Sequence, residues 1–441
     1  MGHWLDSLTA WLAANPQWLG LTLVIVACLE CLAVVGLLVP GTALVLGLAV
    51  LAGNGVLSLG ETLLLGYVGG LLGDLLSYAL GRRYHRGIRG LPGLRQHPEW
   101  LEGAEAYFAR YGVASLLVGR FIGPLRPMLP MTAGMLDMPF GRFLLVSLVA
   151  AAGWSMAYLM PGWTAGAAMR LPLAEGFWGE AAIVAGGTLL VIGLIVHGSL
   201  RQFRWITLLA AGASLALLAG LFFGWPYLKI FDEGLLAVIQ GERSAAMDQA
   251  MVLITRLGDF HTQLWAATLL SLLLLTMRQW RAATFAVSTL LGTALANGAL
   301  KATFARLRPE VLSEPLTSYS FPSGHSSAAF AFFLVLGVLA GREQPPRMRL
   351  TWLLLACLPA TAIALSRMYL GVHWATDVLA GALLAATLCA TSLTLVQWHR
   401  PLPALSARVW WLLLPACLGL LGAFAAWRLP DALQLYHYVA G

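Results

Sequence analysis

The chain has 441 residues, 59% apolar and only 11% charged, a composition that excludes a water-soluble surface. The stretch 17–53 carries one charge, Glu30, and 182–200 and 205–228 carry none, so each reaches the ~20 residues that cross a bilayer core. The net charge of +7 resides in short Arg-bearing loops, which fits the positive-inside rule better than nucleic-acid binding.

In chain order, Trp4, Leu5, Leu8, Trp11 and Leu12 repeat at helical spacing and are stopped by Asn15-Pro16, which predicts a short interfacial helix. It lacks the basic start and cleavage site of a signal peptide. The apolar stretch that follows is too long for one straight span and is broken at Pro40-Gly41. Cys28-x-x-Cys31 has no basic neighbours or second ligand pair and reads as two packed thiols; the five cysteines all lie in apolar runs, so no disulfide framework is expected. Gly66, Gly69, Gly70 and Gly73 mark close helix packing. Arg82, Arg83, Arg86, Arg89 and Arg95 form a basic connection placed in the cytoplasm. The run 113–119 is too short to span and ends in Arg120-Phe-Ile-Gly-Pro-Leu-Arg126-Pro, dense in helix breakers. Two interrupted segments predict re-entrant hairpins beside protein or water. Glu30, Asp74, Arg120 and Arg126 are the ionisable residues that stand out in this apolar half. They line a polar cavity that passes an anionic headgroup, or they form two ion pairs that brace the hairpins.

The basic sequence His197-Gly-Ser-Leu-Arg-Gln-Phe-Arg204 is the expected seam, with domains at 1–198 and 199–441 and a second core at about 203–397. Helices are predicted near 205–224, 262–277, 282–300, 325–340, 351–366, 376–396 and 409–427. Arg201 and Arg204, Arg278 and Arg281, Arg342, Arg347 and Arg349, then Arg400 and Arg408 occupy every second connection. Those connections face inward, so the loops around 229–260, 301–324 and 367–375 face outward.

Three constellations stand at the outward ends. Lys301-x6-Arg308-Pro309 spaces two cations by two helical turns, so that they can share a face. Tyr319-Ser-Phe-Pro322-Ser323-Gly324-His325 precedes an apolar helix, so the N–H groups of Ser323, Gly324 and His325 can point at an anion. Ser366-Arg367-x5-His373-x3-Asp377 places His373 and Asp377 on one face of a helix beginning near residue 373. There Asp377 fixes one ring nitrogen and leaves the other to attack.

These three motifs closely resemble those of the type 2 phosphatidic acid phosphatase family, over roughly 200–400. The resemblance implies an integral-membrane lipid phosphatase in which His373 forms a phosphohistidine and His325 protonates the leaving group. Lys301, Arg308, Arg367, Ser323 and Gly324 would hold the phosphate, and Asp377 would orient His373. Gly258-Asp259 also resembles a family element. With three cations in place and no carboxylate cluster, neither metal nor cofactor is expected. The first half resembles the DedA family, also described as SNARE-associated or VTT-domain proteins, over about 20–170. The matching residues are Glu30 ahead of Pro40-Gly41, Gly73-Asp74, Tyr78, Gly81-Arg82, Gly119-Arg120-Phe121, Pro124, Arg126, Gly134, Phe140 and Gly153-Trp154. That resemblance implies lipid translocation through Glu30, Asp74, Arg120 and Arg126. Thr42 stands where many members carry an acidic residue, against proton coupling at this position.

The expected whole is an all-α polytopic protein of a bacterial inner membrane. It joins an N-terminal domain with re-entrant hairpins to a six-helix phosphatase bundle plus one extra helix. The expected partners are a lipid phosphate, such as undecaprenyl diphosphate or a phospholipid phosphate, and the bilayer, with no nucleic acid; no feature specifies an oligomeric state. The phosphatase site faces the periplasm. The rival readings are a transporter whose second half only binds headgroups, and a phosphatase with a purely structural first half.

Overall fold

The computed structural model describes residues 11–12, 14–33, 35–38, 41–84, 87, 95, 98–111, 114–120, 125–202, 205–241, 243–311, 318–427, 429 and 436. Trp4, Leu5 and Leu8 of the expected interfacial helix lie outside these residues, as do Pro40, Arg86, Arg89, Phe121, Pro124 and Arg204. Every regular element among the described residues is helical, and eight helices are long and apolar enough to cross a membrane. The chain divides into two compact units, Met1–Leu173 and Ala174–Gly441.

In the first unit, α1 (Leu19–Cys31), α2 (Val35–Leu38) and α3 (Gly41–Leu51) break the long apolar stretch into pieces, and α1 packs against α3. A turn of π-helix, Ala52–Val56, follows, in which Gly55 takes φ +98°. Then come α4 (Leu59–Tyr84), α5 (Pro98–Tyr111), the short α6 (Ala114–Gly119) and α7 (Leu125–Met135), and α8 (Phe140–Arg170) closes the unit. The central helix α4 packs on α1, α7 and α8, because glycines let it approach closely. A Cβ on Gly73 would lie 2.4 Å from the Cys28 carbonyl oxygen. One helix from each interrupted segment, α1 and α7, thus packs against the same central helix.

The second unit begins with α9 (Phe177–Leu200), then α10 (Ile206–Gly224), α11 (Lys229–Gln240) and α12 (Ala245–Arg256). The bundle continues with α13 (Phe260–Thr276), α14 (Trp280–Phe304), α15 (Gly324–Ala340), α16 (Pro346–Tyr369), α17 (Ala375–Val396) and α18 (Ala407–Trp427). The division falls earlier than the expected seam at 198, since α9 packs on α10 within the second unit. The predicted helices recur with shifted ends. The segment 351–366 grows to Pro346–Tyr369 because Pro346 suits a first helical position, which draws Arg347 and Arg349 out of the loop into the helix. Leu270, Phe285, Phe332, Ile363 and Leu413 form one core from α13, α14, α15, α16 and the extra helix α18.

Gly73→Ala is expected to cost about 1–3 kcal/mol by forcing α1 and α4 apart. Gly47→Ala, whose Cβ would meet nothing within 4 Å, is expected to be neutral or stabilising. Thermal unfolding of the two full-length variants in detergent checks the contrast.

Candidate functional site

Three chain reversals at one end of the second unit carry the candidate residues. In the first, α14 stops at Phe304, and Ala305 turns left-handed with φ +43°. Lys301 and Arg308 therefore do not share a helical face as the spacing suggested. They converge through the Tyr319 carbonyl, which accepts from Lys301 Nζ at 2.5 Å and from Arg308 Nη2 at 3.4 Å. Arg308 also donates to the Ser318 carbonyl at 2.7 Å and to the Val372 carbonyl at 2.7 Å.

In the second reversal, Ser323 caps α15, its hydroxyl oxygen accepting from the Ser326 N–H and from the Ser326 hydroxyl. The Ser323 N–H donates to the Asp377 carbonyl at 3.0 Å. That corrects the expected anion-binding set, because this N–H is already committed. The Gly324 and His325 N–H groups remain as first-turn donors with no intrahelical partner.

In the third, Gly371 at φ +67° ends α16, and a Cβ there would collide with Val311. The following helix begins at Ala375, two residues beyond His373, which therefore precedes it. The pairing of His373 with Asp377 arises from the helix cap instead of a shared face: Asp377 Oδ2 accepts the Trp374 N–H at 2.9 Å and lies 3.3 Å from His373 Nδ1. Arg308 Nη1 lies 3.0 Å from His373 Nε2. A guanidinium only donates, so Nε2 accepts and the ring proton sits on Nδ1, facing Asp377. Burial first, then the positive charges of Arg308 and Arg367, holds the His373 pKa well below its ordinary value. Burial and Arg367 also lower Arg308 to about 10, which leaves it charged at neutral pH.

A second layer fixes these groups. Arg306 Nη1 donates to Asp377 Oδ1 at 2.8 Å, and Nη2 to Asp232 Oδ2 at 2.8 Å. Thr376 ties Asp232 in through its hydroxyl and its N–H. The Arg306 guanidinium carbon lies 4.4 Å from the Trp225 ring centroid and 5.4 Å from that of Trp374. His325 Nε2 lies 2.8 Å from Asp259 Oδ1, and Asp259 is ion-paired to Arg256. Arg367 is buried, and its Nη1 donates to Thr255 Oγ1 at 2.9 Å and to the Tyr436 hydroxyl at 2.6 Å.

The first unit holds its own buried cluster. Arg120 pairs with Asp74 and Arg126 with Glu30, and all four are buried. Cys31 Sγ lies 3.6 Å from Arg120 Nη2 and 3.4 Å from Arg126 Nη2, so this thiol is an acceptor between two cations as well as a packed side chain. Thr42 donates to Glu30 Oε1 at 2.8 Å, and the Arg126 guanidinium stacks on Trp154 at 4.3 Å. Glu30 Oε2, Arg120 Nε and Arg126 Nε are buried with no hydrogen-bond partner among the described residues.

Against known families, residues 39–164 match the VTT domain and residues 281–401 match the PAP2 superfamily. The chain joins a VTT domain to a PAP2 superfamily domain. The inner membrane protein YabI of Escherichia coli is 40% identical over 152 residues, 34% of this chain and 60% of that protein. Phosphatidylglycerophosphatase B of Bacillus subtilis is 37% identical over 92 residues, 20% of this chain and 44% of that protein. The chain thus spans less than two thirds of either relative's length. Among solved structures, a crystal structure of a transmembrane PAP2-type phosphatidylglycerolphosphate phosphatase from Bacillus subtilis is 23% identical. It covers 43% of this chain and 97% of that one, with a TM-score of 0.40.

Within the PAP2 domain and its flanks, the sequence did not single out Arg306, Asp232, Thr376, Thr255 or Tyr436. Arg306 lies inside the Lys301–Arg308 motif, where it passes for a spacer. Asp232, on α11, is the one that carried a usable signal, since a buried acid in an apolar chain needs a cationic partner. Arg306→Gln strands the carboxylates of Asp232 and Asp377 and is expected to cost about 3–5 kcal/mol. Asp232→Asn keeps the Arg306–Asp377 pair and should cost less; thermal unfolding of both variants measures the difference.

Proposed function

We propose that the PAP2 domain is a lipid phosphate phosphatase that works through a phosphohistidine on His373. The observation that carries the reading is the His373 ring itself: Nδ1–H faces the Asp377 carboxylate, and Nε2 presents its lone pair to Arg308. A lipid phosphate entering between Lys301, Arg308 and Arg367 would draw the Arg308 donor onto its own oxygen and leave Nε2 facing phosphorus. Nε2 then forms the N–P bond as the ester or anhydride P–O bond breaks. The leaving oxygen takes a proton from His325, which becomes protonated as the incoming phosphate offsets the nearby cations and which Asp259 positions at Nε2. Water next gives its proton to His325 and attacks phosphorus, the N–P bond breaks with its electron pair returning to Nε2, and phosphate leaves. Three cations, with the Gly324 and His325 N–H groups, supply the charge neutralisation that phosphoryl transfer needs, which supports a route without a metal.

The Arg-bearing connections lie at the opposite helix ends from the histidines, which supports a periplasmic site in a bacterial inner membrane. Phosphatidylglycerol phosphate and undecaprenyl diphosphate are the substrates to compare, the first supported by the likeness to phosphatidylglycerophosphatase B. Purified protein is expected to release phosphate from one of these lipids in EDTA, and His373→Ala is expected to lose at least about 1,000-fold, as removal of a covalent nucleophile does. Trapping with a 32P-labelled lipid should label wild type on histidine. Turnover retained in His373→Ala would remove the nucleophile; binding without labelling or turnover would favour the headgroup-binding reading.

For the VTT domain we propose passage of anionic lipid headgroups past the Arg120 and Arg126 pairs. The support is that Glu30 Oε2, Arg120 Nε and Arg126 Nε are buried with no hydrogen-bond partner among the described residues, whereas most buried polar groups in a bracing pair find one. Full-length protein in liposomes is expected to flip a fluorescent anionic lipid, and Arg120→Ala to abolish the flux. Equal flux in wild type and variant would favour a structural domain.

A further inference from the structure

At the end of the second unit remote from His325 and His373, a slot of about 190 Å³ opens among α9, α10, α15, α16 and α17. The helices α15, α16 and α17 connect the two ends. The 17 residues of α15 separate them by about 25 Å at ~1.5 Å per residue. The walls are apolar, from Ile206, Leu334, Val338, Leu353, Ala390 and Leu393, whereas Arg342 and Arg349 line one end.

These two arginines lack the partners that half-buried charges ordinarily find. Neither forms an ion pair among the described residues. Arg349 Nε is buried with no hydrogen-bond partner among the described residues. Arg342 donates to the Leu402 carbonyl at 2.8 Å and weakly to Gln397 Oε1 at 3.4 Å, both uncharged. The neighbouring Arg281 adds a third positive charge, its donors bound to the carbonyls of Val396, Arg400 and Pro401. The nearby acid, Glu343, accepts from the Ala404 N–H. Burial first, then repulsion by Arg349, lowers the pKa of Arg342, and the attraction of Glu343 offsets this only in part.

Two features have to be met together: an uncompensated positive mouth and an apolar depth. A free anion answers only the first and a neutral lipid only the second. We infer that the slot binds an anionic phospholipid, with its phosphate on Arg342 and Arg349 and an acyl chain between α10 and α17. Basic residues flanking a gap between membrane helices suit such headgroups, and the phosphate would satisfy the orphaned Arg349 donor. The site is separate from the histidine end and does not depend on the phosphatase reading.

Native mass spectrometry of the full-length protein, titrated with dioleoyl phosphatidylglycerol and with dioleoyl phosphatidylcholine, tests it. Wild type is expected to prefer phosphatidylglycerol by at least about 10-fold, equivalent to ~1.4 kcal/mol. The preference should vanish in Arg342→Gln/Arg349→Gln, weaken in Ala390→Trp, which fills the slot, and survive in Arg308→Gln, which alters the other end. Excess inorganic phosphate should not displace the lipid. Equal affinity for the two lipids in wild type would overturn the proposal without reliance on any variant. So would a preference that survives the double substitution, one that disappears in Arg308→Gln, or displacement by phosphate, which would mark a free-anion site.

Discussion

An imidazole kept neutral amid positive charge needs each cation held at a fixed place, or the charges would move apart and solvent would enter. In the second unit Lys301 and Arg308 are held by the Tyr319 carbonyl, and Arg308 is held further by the Ser318 and Val372 carbonyls. Arg367 is held by two hydroxyls, from Thr255 and Tyr436. All of these partners are dipoles rather than carboxylates, so the three charges remain unneutralised and available to an anion. Asp377 and Asp232 stand one layer back from these cations. Asp377 faces the proton-bearing side of His373, and Arg306 shares itself between Asp377 and Asp232.

The first unit uses the same residue types with the opposite balance. Each buried arginine there meets a carboxylate, Asp74 or Glu30, and both guanidinium groups lie near Trp154. Direct pairing lowers the cost of charge in an apolar setting, whereas dipole support keeps charge ready for a ligand. The residual orphan atoms on Glu30, Arg120 and Arg126 mark where the pairing falls short, and these are the atoms that a passing headgroup could satisfy. The arginines lining the apolar slot carry the idea further, since among the described residues they have neither a paired carboxylate nor, at Arg349 Nε, any hydrogen-bond partner.

Much of the architecture was legible because membrane helices announce themselves by composition. The runs near 205–224 and 376–396 reappear as Ile206–Gly224 and Ala375–Val396, since uncharged stretches have no other stable form in a bilayer. Local geometry was less legible. Lys301 and Arg308 at a helical spacing suggested one face, but Ala305 ends the helix between them. The four-residue spacing of His373 and Asp377 likewise suggested a helix, whereas the pair forms through a cap. In both cases the residues still meet, by contacts that spacing does not encode.

Chain order alone determined that this is a polytopic helical protein, which short motifs carry its candidate chemistry, and where its basic connections fall. Those properties depend on composition and on neighbours a few residues apart. Only the tertiary structure decided that Arg306 is a partner of Asp232 and Asp377, that Ser323 spends its N–H on the Asp377 carbonyl, and that Tyr436 reaches Arg367. Such contacts join residues separated by 54 to 74 positions. Across that distance, helix packing rather than sequence spacing sets which polar atoms meet.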